Sequence, residues 1–311
     1  MENYQLLEKI SEGSSGVVSK AQHLHTSRIV AIKKVRLRRL EDGLPKVAVR
    51  EITALQHFDH PNIVQLLDVF GHGSSVVLVF ECMMTDLHEV MRNMLHPFTE
   101  PQVRYLLREI LKGLRYIHSL NYMHRDVKPA NVLIGGNGEV KLGDFGLCRS
   151  TQEQPVSNEV ATRWYRAPEL LLGSRNYSTG VDIWAAGCIF AELLNHAPLF
   201  PGDNDIDQFL KIIGVLGTPS PETCPEIAQL PDYHKITFPQ YPPLPLSTNV
   251  CGSPAALDLL ALMLEYDWDK RPSAASLLQH RFFYEDCLSR DIPRAIFSKS
   301  KTRDYRALLK D

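Results

Sequence analysis

Residues 124–131 read HRDVKPAN, and thirteen positions beyond Asn131 stands Asp144, the first residue of DFG at 144–146. Two carboxylates, a lysine and an amide in this order suit phosphoryl transfer. That reaction needs a carboxylate near the incoming hydroxyl, positive charge on the group that moves, and oxygen ligands for magnesium. In this reading Asp126 accepts the hydroxyl proton and holds the nucleophile in line, and Lys128 reaches the transferring phosphoryl. Asn131 and Asp144 supply hard oxygens to Mg2+. Each short string occurs by chance alone; the order and spacing together do not.

Toward the N-terminus the chain offers what such a site requires. Val17–Ala21 and Ile29–Val35 are rich in β-branched residues and predict strands, as do Ile63–Val69 and Ser75–Phe80. Pro45–Phe58 predicts a helix with Val47, Ile52 and Leu55 on its apolar face. Lys33, in VAIKK on the second strand, is suited to neutralise the α/β-phosphates, and Glu51 on the helix is its natural partner. Taken singly, both are ordinary surface charges. Beyond residue 85 the pattern turns helical, at Val103–His118 and at the nearly wholly apolar Val181–Leu194, which should be buried on most sides. A lobe boundary is expected at Glu81–Asp86.

Composition narrows the class. The 311 residues are 44% hydrophobic and 23% charged with a net charge of −2, an ordinary globular balance with no basic field for nucleic acid. The charged N-terminus does not read as a signal peptide, and the longest apolar stretches are too short for a bilayer. Cysteines 82, 148, 188, 224, 251 and 287 show no CxxC pair or metal spacing, which fits reduced thiols in the cytosol or nucleus.

On these motifs the chain resembles the eukaryotic protein kinases over about residues 4–285. APE at 167–169, Asp182 in the DxWxxG setting with Trp184 and Gly187, and Arg271 as the buried structural partner of Glu169 complete the match. The resemblance implies an α+β bilobal kinase fold. Its N-lobe, about 4–82, holds an antiparallel sheet and one main helix; a larger helical C-lobe covers about 84–285, with a short basic tail at 290–311. It also implies a nucleotide pocket. Ile10, Val18, Ala31, Phe80 and Leu133 enclose the adenine, the Glu81 carbonyl and Met83 amide bind its edge, and Asp86 meets the ribose. From residue chemistry alone, Val18, Ala31 and Leu133 read equally well as core.

ATRWYRAPE (161–169), GDNDIDQ (202–208) and LGTPSPE (216–222) are similar to the cyclin-dependent and MAP-kinase-like group, and PKVAVRE (45–51) to a cyclin-binding helix. RRLEDG (38–43) and PLFPGDNDI (198–206) resemble the cell cycle-related kinase branch. Lys128 is the group's serine/threonine signature, Thr162 is placed to hydrogen-bond Asp126 and Lys128, and the WYRAPE context implies proline after the phosphoacceptor. Protein substrates with Ser/Thr-Pro sites, ATP with Mg2+ and a cyclin-like activator at Pro45–Glu51 follow from the same resemblance. So does a role in cell-cycle or cilium control, in cytoplasm, nucleus or cilium.

There are departures. The glycine-rich loop reads Ser11, Gly13, Gly16 where the family has three glycines, which should tune ATP affinity rather than abolish it. Ser14 and Ser15 replace an inhibitory Thr-Tyr pair, and the activation segment has no Thr-x-Tyr. Its activating threonine aligns with Ser157, whose phosphate Arg50, Arg125 and Arg149 would capture. Two rival readings are a pseudokinase-like scaffold and a module that acts chiefly by binding a cyclin-like partner.

Overall fold

The computed structural model describes residues 1–13, 16–37, 44–94, 96–153, 157 and 160–285. Ser14, Ser15, the RRLEDG stretch, Cys287 and the basic tail lie outside the described residues. Five antiparallel strands come first: β1 (Tyr4–Gly13), β2 (Gly16–His23), β3 (Ile29–Arg36), β4 (Leu66–His72) and β5 (Ser75–Glu81), in the order β1-β2-β3-β5-β4. Helix α1 (Lys46–His57) lies between β3 and β4 in the chain.

Two expectations shift here. The fourth strand starts at Leu66; Ile63 instead bridges in parallel to Leu142, so residues 62–65 form a strap rather than a strand. Helix α1 buries Ala48, Glu51, Ala54 and Leu55, while Val47 stands 38% exposed. Of the expected face, Leu55 is buried and Ile52 packs partly buried against the core; ranking by apolarity missed Glu51 because that buried residue is a carboxylate. Its burial is tolerated only through the partner described below.

After a short connection the chain is mainly helical. In order come β6 (Thr85–Asp86), α2 (Leu87–Asn93), α3 (Glu100–Ser119), β7 (Tyr122–Met123), β8 (Val132–Ile134), β9 (Val140–Leu142) and β10 (Arg149–Ser150). Then follow α4 (Pro168–Leu171), α5 (Gly180–Asn195), α6 (Asp205–Leu216), α7 (Pro254–Met263) and α8 (Ala274–Leu277). Helix α5 is buried from Gly180 through Leu193 and forms the axis of the main core. Thr99 opens α3 with a reciprocal capping box to Gln102, which fixes where that long helix begins. The result is an α+β bilobal kinase fold. Among the described residues no helix is long and apolar enough to cross a membrane, and the five described cysteines are free thiols.

Candidate active site

The catalytic loop is held from beneath. Asp182, near the start of α5, is buried, and its carboxylate accepts the backbone N–H groups of His124 and Arg125, both at 2.8 Å. His118 Nε2 lies 2.9 Å from the same group. Burial opposes the charge on Asp182, but His118, His124 and the Arg125 N–H outweigh it and hold the carboxyl below its ordinary value. Arg125 itself sits at φ 67°, a left-handed conformation that a non-glycine residue keeps only when its surroundings impose it.

On that loop Asp126 collects three neighbours. Lys128 Nζ donates to its Oδ2 at 2.7 Å and Asn131 Nδ2 to the same oxygen at 3.0 Å, while the Thr162 hydroxyl donates to Oδ1 at 3.2 Å. The backbone N–H of Thr162 adds a further bond to Oδ1 at 3.1 Å. The Asp126 carboxylate is thus fixed from both its own loop and the activation segment, with its side chain still reaching solvent.

Lys33 forms the second half of the site. Its Nζ donates to both Glu51 oxygens, at 2.8 and 2.7 Å, and to Asp144 Oδ1 at 3.1 Å. Burial disfavours the ammonium, yet Glu51 and Asp144 overcome that and raise its pKa. Glu51 is pushed up by burial against the pull of Lys33. Asp144, despite its own burial, is held low by Lys33. Phe145 seals this corner, packed edge-on to Phe58 and tilted against His124. Gly146 has no room for a side chain, since a Cβ there would lie 2.8 Å from Val47 Cγ1. Helix α1 is therefore seated on the DFG segment, the arrangement in which the Lys33–Glu51 pair can form.

Asn131 and Asp144 fit magnesium by their donor chemistry. The amide nitrogen of Asn131 is committed to Asp126, to its backbone oxygen at 2.7 Å and its side chain, which leaves the amide oxygen for a cation. Asp144 gives only one oxygen to Lys33. No cluster of three metal-binding side chains exists among the described residues, and Mg2+ requires none. It keeps waters and takes one or two protein oxygens beside substrate phosphates.

Several of the positions that the resemblance assigns to the nucleotide share one face of the N-lobe sheet. Ser11 pairs with Val18, Val18 with Lys33 and Ala31 with Phe80, so the register alone stacks these residues under the sheet. Of the residues expected to enclose the adenine, Phe80 is buried and Ile10 is 47% exposed. Ser11 follows a register break after Lys9, and Gly13 pairs with Gly16. Gly16 has a reason of its own for being glycine: at φ 122°, a Cβ would meet Lys34 O at 2.5 Å. The close crossing of β3 demands it, whatever binds beneath. Asp86 caps α2 by accepting the Glu89 N–H at 3.0 Å, a role the sequence reading missed although aspartate three residues before glutamate is a cap signature. Burial raises its pKa.

Around the activation segment, Arg50, Arg125 and Arg149 come together. Arg50 is driven below its ordinary pKa first by burial and then by the positive charges of Arg149 and Arg125. Arg125 donates to Tyr177 Oη at 3.0 Å, and that hydroxyl donates to the carbonyl of Ser157 at 2.6 Å. Ser157 is exposed. Arg149 pairs with Glu153 at 2.7 Å. The two motifs set apart in the sequence, WYRAPE and GDNDIDQ, turn out to be one contact. Trp164 donates to Gly202 O at 3.1 Å, and Arg163 and Arg166 both reach Asp205, at 3.1 and 3.0 Å. Glu169 and Arg271 form a buried bidentate pair at 2.6 and 2.8 Å.

These features define a phosphotransferase of the bilobal kinase class, and the protein kinase domain family model matches residues 4–283, so the chain belongs to the protein kinases, as a serine/threonine kinase of the cyclin-dependent type. It is 52% identical over 293 residues to cyclin-dependent kinase 20 of Danio rerio, an alignment covering 93% of this chain and 85% of that protein. Cyclin-dependent kinase 20 of Mus musculus is 50% identical and that of Homo sapiens 49%, each over 289 residues, 91% of this chain and 84% of theirs.

Proposed function

We propose that this kinase phosphorylates serine and threonine residues followed by proline. The observation that carries the reading is the set of contacts made by Arg166. Its Nε donates to the carbonyl of Val160 at 2.9 Å and its NH2 to that of Ala161 at 3.2 Å, with Ala161 at φ 65°. These carbonyls stand just before Thr162, whose hydroxyl bonds Asp126, so they flank the place where a substrate hydroxyl must come. An amide N–H after the phosphoacceptor finds both acceptors occupied and is desolvated at a cost. Proline carries no N–H and loses nothing.

The transfer itself is direct and in line, without a phosphoenzyme. Asp126 orients the substrate hydroxyl and takes its proton; Lys128 and Lys33, the latter steadied by Glu51, spread the charge of the phosphate groups. Thr162 keeps Asp126 aimed. Asn131 and Asp144 would hold Mg2+, which would supply positive charge to offset that of the ATP phosphates. Positioning and electrostatics supply the acceleration, with turnover of about 1–100 per second typical of such enzymes.

Ser157 is the activating phosphosite in this reading. It is exposed, its carbonyl is tied through Tyr177 to Arg125, and Arg50, Arg125 and Arg149 are gathered nearby, where about two negative charges would compete with Glu153 for Arg149. A cyclin-like activator at Pro45–Glu51 is supported by exposed Leu44, Val47 and Val49, apolar groups at and just before the start of α1 that no described residue covers fully. The relatives' names agree with such a partner and with cell-cycle work, and the branch resemblance extends this to the cilium, from cytoplasm or nucleus.

The test is transfer of labelled phosphate from Mg-ATP to a Ser-Pro peptide and its Ser-Ala counterpart, with wild type, Asp126→Asn and Ser157→Ala. Strong preference for Ser-Pro, loss in Asp126→Asn and reduction in Ser157→Ala are expected. Equal use of both peptides by the wild type refutes the proline reading. Activity untouched by Asp126→Asn refutes the base.

A further inference from the structure

The connection between the lobes carries a side-chain contact that the transfer chemistry does not use. Glu81 ends β5. Its Oε1 accepts the backbone N–H of Gln65 at 2.8 Å and the ammonium of Lys141 at 2.7 Å, while its own N–H donates to Gln65 O at 3.1 Å. Lys141 lies in the middle of β9, opposite Leu133. Its two neighbours hold the strap at 62–65. Leu142 N–H donates to Asn62 O at 2.8 Å, Val64 N–H to Leu142 O at 2.9 Å, and Asn62 Nδ2 to Val140 O at 2.8 Å. The strap and β9 press together onto α3, where a Cβ at Gly113 would lie 2.9 Å from Leu142 Cδ1 and 3.0 Å from Asn62 O.

We infer that Lys141 and Glu81 form a clamp behind the hinge that fixes the N-lobe end of the interlobe connection to the C-lobe, making Lys141 a positioning residue for the nucleotide. Glu81 is the residue whose carbonyl is expected to meet the adenine, with the Met83 amide two positions on. Opening the cleft requires the chain to pivot here. The strap meets the end of β5 only through the main chain of Gln65, whose N–H and carbonyl both bond Glu81; Lys141 is the side chain of β9 that ties Glu81 directly to the strand leading into DFG. The side chains are only 16% and 19% exposed, so water and salt screen the attraction less than at an open surface. Lys141 touches no reacting atom. It acts through Glu81, by limiting how far and how often the hinge relaxes.

The inference rests on the nucleotide reading of the hinge, and two measurements on the full chain keep the two apart. The first is hydrogen exchange of the amides of residues 81–85 without nucleotide. The second is dissociation of fluorescent mant-ADP in the presence of Mg2+. Wild type is compared with Lys141→Met, Glu81→Gln, the double variant and Lys141→Arg. Lys141→Met keeps the apolar stem, and a melting curve confirms folding. Exchange and release should each quicken about three- to tenfold in either single variant, the effect of one charge-assisted hydrogen bond. The double variant should be no faster than the singles, because both remove one contact, and Lys141→Arg should stay close to wild type. Unchanged exchange at 81–85 in both singles, or effects that add in the double variant, overturns the clamp. Quickened exchange in a chain that binds no mant-ADP supports the clamp and overturns the pocket assignment instead.

Discussion

The carboxylate of Asp182 spans two consecutive backbone N–H groups, of Arg125 through Oδ1 and of His124 through Oδ2. It therefore anchors the main chain of the catalytic loop rather than any reacting side chain. Arg125, forced to positive φ by this grip, turns its guanidinium toward Leu147 O at 2.7 Å and Tyr177. One buried aspartate thus sets both Asp126, the proposed base one residue on, and the arginine that faces the activation segment.

Asp182→Asn should destabilise the protein by about 2–5 kcal/mol, since an amide cannot accept two N–H groups on both sides and leaves a buried donor unpaired. The variant should also lose part of the acid sensitivity of the wild type. Folding holds the Asp182 carboxyl below its unfolded value, so its stabilisation is complete above about pH 4 and declines as pH falls through the folded-state value. Denaturant titrations between pH 3 and pH 7 should show a shallower acid limb for Asp182→Asn. An unchanged limb assigns the acid sensitivity to other groups.

Removing Glu51 leaves the Lys33 ammonium buried with only Asp144 for a partner. Glu51→Met and Lys33→Met should each cost about 3–5 kcal/mol, the usual penalty for breaking a buried pair. The Lys33→Met/Glu51→Met double variant should recover much of that loss. All three should be nearly inactive in phosphate transfer. Thermal unfolding of the four proteins gives the coupling, and strictly additive losses would show that the pair is not the source of the stability.

How much of this was readable follows residue by residue. HRDVKPAN and DFG were legible because their chemistry lies in adjacent positions; the bond of Thr162 to Asp126 was implied only by the kinase resemblance, and the expected bond of Thr162 to Lys128 is not among those of the described residues. Strand β1 gave little signal: Glu8, Lys9 and Glu12 are exposed along it, and the alternation is broken by two register shifts. The buried stripe of α1 was only partly legible because Glu51 counts as polar until Lys33, in a different element, neutralises it. Lys141 carried no signal at all. Its meaning depends on Glu81 sixty residues earlier, a distance that no local pattern spans.

Arg271 should prove structural. It holds Glu169 through two bonds and also donates to Glu265 O at 2.7 Å and Gly180 O at 3.2 Å, joining the end of the activation segment to α5. Arg271→Met should lower stability by about 3–5 kcal/mol while leaving the nucleotide affinity of the folded fraction unchanged. Calorimetric melting together with mant-ADP titration well below the transition separates the two effects. Weakened nucleotide binding in fully folded variant would mean that the pair also shapes the cleft.

Arg166 offers the sharpest check on the proline preference, because it makes two kinds of contact that can be cut separately. Its guanidinium takes the carbonyls of Val160 and Ala161 on one side and both oxygens of Asp205, at 3.0 Å, on the other. Arg166→Met frees the carbonyls, so a Ser-Ala peptide regains an acceptor for its amide while a Ser-Pro peptide gains nothing. The ratio of kcat/KM for Ser-Pro over Ser-Ala should fall about two- to tenfold, the value of one hydrogen bond, mainly through better use of Ser-Ala. Asp205→Asn leaves the carbonyls engaged and weakens the anchors of Arg166 and Arg163 alike. It should therefore cost activity on both peptides alike and keep their ratio. If the ratio survives Arg166→Met, or falls equally in both variants, carbonyl occupancy is not what selects proline, and the left-handed Ala161 serves only the packing of the segment.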